Sequence, residues 1–151
     1  MSAEDNKAIA RRYWDAWNTG NVAIYDEIFA PDNIFHPGDS PVLTARGTAS
    51  RAIEARKQGP TIWRTVFPDF HATIEDIFAE GDKVVVRWTV RGTHRGHIEI
   101  ESAGPIPPTG KQVSFTGMDI YHFRGGKIVE LWRHWDRLGL FQQLGVVPTA
   151  G

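Results

Sequence analysis

The sequence predicts an α+β fold in which N-terminal helices lie on one face of a curved antiparallel sheet. Three observations predict it. Apolar residues recur at helical spacing as far as Phe67. From Phe70 onward the period becomes two. The later segments are joined by short turns, the pattern of an antiparallel meander rather than of alternating strands and helices. A chain of 151 residues is the length of one domain, and residues 1–151 are read as one.

The helices come first. Ser2-Ala3-Glu4-Asp5 has the form of a capping box, and Ile9, Tyr13, Ala16 and Trp17 fall on one helical face. Asn18-Thr19-Gly20 ends that helix. Asn21 is placed to cap a short second helix carrying Val22, Tyr25, Ile28 and Phe29, which Pro31 closes. Asn33 to His36 reads as a short extended piece, followed by a loop to Gly47. A third helix is expected over Thr48 to Gln58, broken by Gly59-Pro60, with one more apolar turn at Ile62, Trp63, Val66 and Phe67.

The strands follow. Phe70, Ala72 and Ile74 alternate with His71, Thr73 and Glu75. After a turn at Glu80-Gly81-Asp82, Val84, Val86, Trp88 and Val90 line one face of a long strand. Gly92 to Thr109, with three prolines and three glycines, reads as a loop or broken strand. Gln112 to Phe123 is the next strand, Gly125-Gly126 a two-residue hairpin turn, and Lys127 to Asp136 the last strand. Asp136 can cap a short helix over Leu138 to Leu144.

Composition excludes several functions. The net charge is −1, which gives no electrostatic case for nucleic acid or for an acidic membrane surface. Cysteine is absent, which removes disulfides, thiolate zinc sites and a cysteine nucleophile. No apolar run approaches membrane-spanning length, and the acidic, polar opening Met1 to Asp5 is unlike a signal peptide, so a cytoplasmic protein is expected. His94 and His97 lack a third ligand at metal-site spacing, and no glycine-rich loop has phosphate-binding form. Neither metal nor cofactor is expected.

Four residues could carry chemistry. Tyr13, on the apolar face of the first helix, needs a partner for its hydroxyl, in a pocket or in the core. His36, held extended by Pro37 at a strand end, could reach a pocket or lie on the surface. Asp119 stands mid-strand among apolar residues, where a carboxylate is expensive to bury unless that face is wet or the acid is paired. Arg133 shares a strand face with Leu131 and Trp135, so it is paired with a carboxylate or stacked on rings. Across the Gly125-Gly126 turn Asp119 falls opposite Trp132, or opposite Arg133 if one residue bulges. Six tryptophans exceed ordinary core needs, and Trp17, Trp63, Trp88 and Trp135 are expected as apolar walls.

Glu80 to Trp88, Gly92 to Gly96, Pro107 to Lys111, Gly126 to Trp132 and Asp136 to Gly145 resemble the SnoaL-like polyketide cyclases of the nuclear-transport-factor-2-like superfamily. The resemblance covers nearly the whole chain. It implies a cone-shaped, usually dimeric fold and, for cyclase members, intramolecular aldol ring closure without metal or cofactor. The family's acid–base aspartate on the last long strand aligns with Arg133 here, and its second polar position with Asp119. Arg12-Tyr13, His36-Pro37 and Met118-Asp119-Ile120 resemble the polar positions of the related steroid isomerases.

Together these lead to a cofactor-independent acid–base enzyme of cyclase, isomerase or lyase type, acting on a small apolar carbonyl or polyketide-like compound. His36 or Asp119 would take a proton, and Tyr13 and Arg133 would hold the oxyanion. The alternatives are epoxide-hydrolase-like water activation and a non-catalytic binding protein of the same fold. The apolar outer face of the last strands implies a homodimer; neither nucleic acid nor membrane is expected as a partner.

Overall fold

The computed structural model describes residues 1–37, 53–100 and 104–147. Helix α1 spans Ala3–Thr19. Ser2 accepts from the Asp5 amide while the Asp5 carboxylate accepts from the Ser2 amide, the reciprocal capping box the sequence predicts. Gly20 closes the helix in the left-handed conformation. A 3-10 turn at Val22–Ile24 leads into the one-turn helix α2, Tyr25–Ile28.

Three local expectations are corrected here. Asn21 makes no side-chain cap. Pro31 does not close a helix but lies inside strand β1, Phe29–His36, which begins four residues earlier than expected. The strand tolerates it because β1 is an edge strand and its register breaks between Phe29 and Ile34. Helix α3 runs unbroken over Ile53–Val66, through Gly59-Pro60. A Cβ on Gly59 would sit 3.1 Å from the Trp17 ring, so glycine lets α3 lie close on α1 and packing overrides the local breaker. The expected helical residues Thr48 to Ala52, and the loop to Gly47, lie outside the described residues.

The remaining strands are β2 His71–Glu80, β3 Lys83–Thr93, β4 Ile98–Ile100, β5 Gly104–Ile106, β6 Gln112–Arg124 and β7 Lys127–Trp135, followed by helix α4, Arg137–Leu144, capped by Asp136. Strands β4 and β5 form a small separate ladder within the stretch read as a loop or broken strand. The main sheet has the order β1-β7-β6-β3-β2. It is mixed rather than antiparallel, because β1 pairs with β7 in parallel. That pairing joins elements roughly a hundred residues apart, so no hairpin turn announces it.

The helices cover one face of the sheet. Along β6 burial alternates strictly: Val113, Phe115, Gly117, Asp119, Tyr121 and Phe123 are buried, while Ser114, Thr116, Met118 and Ile120 face out. Asn18 at the end of α1 imitates a strand by bonding both backbone groups of Ala72 on β2. Arg64 of α3 donates to the last carbonyls of α1, at Trp17 and Asn18, where a cation complements the helix dipole. These contacts fix α1, and with it Tyr13, against the sheet.

Candidate functional site

One irregularity decides the register of the site. His122 pairs with Glu130 but Phe123 pairs with Ile128, so Val129 is an extra residue in β7. The bulge sets Asp119 opposite Arg133 rather than Trp132. Both residues point to the helix-covered face, and their side chains are 0% and 11% exposed.

The carboxylate of Asp119 is saturated. Oδ1 accepts from Arg133 Nε at 2.8 Å and from the Trp88 indole at 3.1 Å. Oδ2 accepts from Arg133 Nη2 at 2.8 Å and from the Tyr121 hydroxyl at 2.6 Å. A carboxylate offers about four lone-pair sites, and all are taken. Arg133 Nη2 also donates to the Tyr13 hydroxyl at 2.8 Å. Tyr13 is thus an acceptor from Arg133 and keeps its own O–H proton to donate. Arg133 Nη1 has no hydrogen-bond partner among the described residues.

Rings enclose the guanidinium. Its Cζ lies between 5.2 and 5.9 Å from the ring centres of Tyr13, Trp14, Trp17, Phe35 and Trp88. Burial opposes its charge, yet Asp119 and Tyr13 hold Arg133 above its ordinary range. Burial, with the charge of Asp119 behind it, likewise pushes the Tyr121 hydroxyl well up, and burial does the same for Tyr25, which donates to the Tyr13 carbonyl. A Cβ on Gly117 would collide with the Trp88 indole, so glycine at this point of β6 is what lets Trp88 reach Asp119.

The structure brings Tyr13, Asp119 and Arg133 together, with Trp88 and Trp17 against them. Trp63 and Trp135 lie farther along the same interior, linked to Trp88 through Phe115. His36 does not join them, which corrects its expected reach into the site. The parallel register sets His36 beside Trp132, on the outward face of β7. There it stacks on the Trp132 ring and bonds Glu130 at 2.7 Å. The inward residue at this end of β1 is its neighbour Phe35.

Sequence reasoning misses four residues of the site. Tyr121 is legible, being two positions from Asp119 on the same strand face. Trp14 stands out in the sequence only as a tryptophan near charged residues. Phe35 needs the β1 register. Arg56 needs the true phase of α3; it is 7% exposed, with its Cζ 4.4 Å over the Phe35 ring. Among the described residues no group of three His, Asp or Glu side chains is placed to hold a metal ion.

This helix-covered mixed sheet is the nuclear-transport-factor-2-like fold, as comparison with solved structures shows. TsrD from Streptomyces laurentii superposes with a TM-score of 0.79 at 26% identity, over 97% of this chain and 99% of that one. AclR from Streptomyces galilaeus, a candidate hydroxylase, gives 0.77 at 28% identity, over 99% and 91%. IdmH from Streptomyces antibioticus, a candidate polyketide cyclase, gives 0.73 at 31% identity, over 93% and 99%. Residues 7–144 match the sequence model of the SnoaL-like polyketide cyclases, and the chain belongs to that family. No match to it is found among curated proteins.

Proposed function

We propose that this protein binds a small, largely apolar carbonyl compound in a pocket on the helix-covered face and draws charge onto its carbonyl oxygen without a cofactor. The observation that carries the reading is the Arg133–Tyr13 pair. Arg133 is fixed by a saturated Asp119, and the pair retains two donors with no acceptor among the described residues, Nη1–H and the Tyr13 O–H. Preorganised donors in a desolvated aromatic setting are what a developing enolate or aldolate oxygen requires. Cyclase, isomerase and lyase chemistry all pass through such an oxyanion.

The roles differ from those expected from sequence. Asp119 has no lone pair left for a substrate proton and serves as a positioning residue. His36 faces the other way. The cluster's own part is therefore electrophilic: it holds the carbonyl oxygen as charge develops, and solvent water or hydroxide takes the carbon-bound proton. Epoxide hydrolysis fits less well, because it needs a carboxylate free to activate water.

Solvent deuterium exchange at the α-carbon of an aryl methyl ketone, 2-acetylnaphthalene, tests this. Tyr13→Phe should slow catalysed exchange by ~10²-fold, the loss of one oxyanion donor. Equal rates in wild type and variant would sink the assignment. Ketone binding with no exchange in either would leave a ligand-carrying protein.

We also propose that the outer sheet face pairs with a second copy of the chain. Phe78, Val85, Ile120, Trp132 and His36 stand in one continuous cross-strand row. Phe78, Met118 and Ile120 are 57%, 57% and 40% exposed. The row is flanked by charges of both signs, Arg87 with Asp76 on one side and Glu130 on the other, so the surface can complement itself about a two-fold axis. Light scattering at micromolar protein should give a dimer, and Ile120→Glu a monomer. A monomeric wild type contradicts the proposal.

A further inference from the structure

A second buried cation stands at the same site, with no counter-charge among the described residues. Arg56 comes from α3, and its Nε and Nη1 are buried without a hydrogen-bond partner among the described residues. Its Cζ lies over one Phe35 ring, on which Arg133 also packs. Asp119 is the only buried acid among the described residues, and its lone pairs are already used. Among the described residues the interior therefore holds two guanidinium groups and one carboxylate. The two guanidinium groups share the Phe35 ring, with Arg56 Cζ 4.4 Å and Arg133 Cζ 5.5 Å from its centre, and burial lowers the Arg56 pKa to about 10. An unpaired buried guanidinium costs far more than one aromatic face returns. A fold that only needed filling here would be more stable with methionine.

Resting on the carbonyl reading above, we propose that the compound bound at this site is a carboxylate as well as a ketone, with its carboxylate on Arg56 and its carbonyl on Arg133 and Tyr13. A planar monoanion matches a guanidinium in shape and hydrogen bonding. One such charge equalises the buried cations and anions. The aromatic side chains between and around the two arginines, Phe35, Trp14 and Trp17, suit an apolar or aromatic body joining the two polar ends. The substrate class is then the aromatic or polycyclic keto acid.

The test uses tryptophan-fluorescence titration with four probes of one shape: 6-acetyl-2-naphthoate, its methyl ester, 2-acetylnaphthalene and 2-naphthoate. Wild type should bind the keto acid about 10- to 100-fold more tightly than the ester, the range for hydrogen bonds to a charged group. In Arg56→Met that ratio should fall to near one, affinity for 2-acetylnaphthalene should persist, and the melting temperature should hold or rise. Arg56→Lys should restore part of the preference. A wild type that binds ester and acid equally, or a preference that survives Arg56→Met, overturns the proposal while leaving the carbonyl reading standing. If instead 2-naphthoate binds as tightly as the keto acid, with the preference still dependent on Arg56, the anion site stands and the carbonyl reading fails.

Discussion

Asp119→Asn should lower the stability of this protein by about 3–5 kcal/mol, because it leaves Arg133 buried without its counterion. For a chain of this length that is a fall of roughly 6–20 °C in melting temperature. The amide keeps the shape of the carboxylate but replaces one acceptor oxygen with a donor, set against donors that now have nothing to meet. Those donors are Arg133, Trp88 and Tyr121. The outcome separates two roles. A proton-transfer aspartate would lose turnover and melt normally. A positioning aspartate loses stability, and any loss of exchange follows from the displaced guanidinium. A variant that melts like wild type would contradict the role assigned here.

Arg133→Met should reduce α-proton exchange by ~10²–10³-fold, and adding Asp119→Asn should recover stability without recovering exchange. The single change strands the carboxylate instead of the guanidinium. With both changes no buried charge remains at this point, and the amide oxygen introduced by Asp119→Asn can still accept from Trp88 or Tyr121. The double variant should therefore be more stable than the sum of the singles by about 2–3 kcal/mol. Calorimetric melting of wild type, both single variants and the double variant measures that coupling. Additive losses would show that the bidentate geometry contributes little to the fold. Recovered exchange in the double variant would show that Arg133 is not the electrophile.

Much of this is legible in the sequence, and the limits have physical causes. The long strands are clear because period-two burial is written directly in residues 84–88 and 113–123. That Arg133 faces the interior beside Leu131 follows from alternation alone. Its pairing with Asp119 turns on a single bulged residue, Val129, which no composition rule marks. Sequence reasoning misplaces His36 because β1 pairs in parallel with a strand far along the chain. A shift of one position there exchanges His36 for Phe35 on the inner face. Arg56 is hidden by Gly59-Pro60, a local breaker that tertiary packing on Trp17 overrides. Local signals carry local structure; the functional geometry depends on long-range register.

The most direct measurement is the infrared carbonyl stretch of 2-acetylnaphthalene bound to the protein, with the carbonyl carbon isotopically labelled to separate it from the amide band. Donation from Arg133 and Tyr13 to one oxygen lengthens the C=O bond. The band should therefore move to lower frequency on binding to wild type. The shift should shrink in Tyr13→Phe and vanish in Arg133→Met, while His36→Ala leaves it unchanged. A bound ketone whose band matches its value in an apolar solvent, or whose shift is the same in wild type and Arg133→Met, would contradict the account.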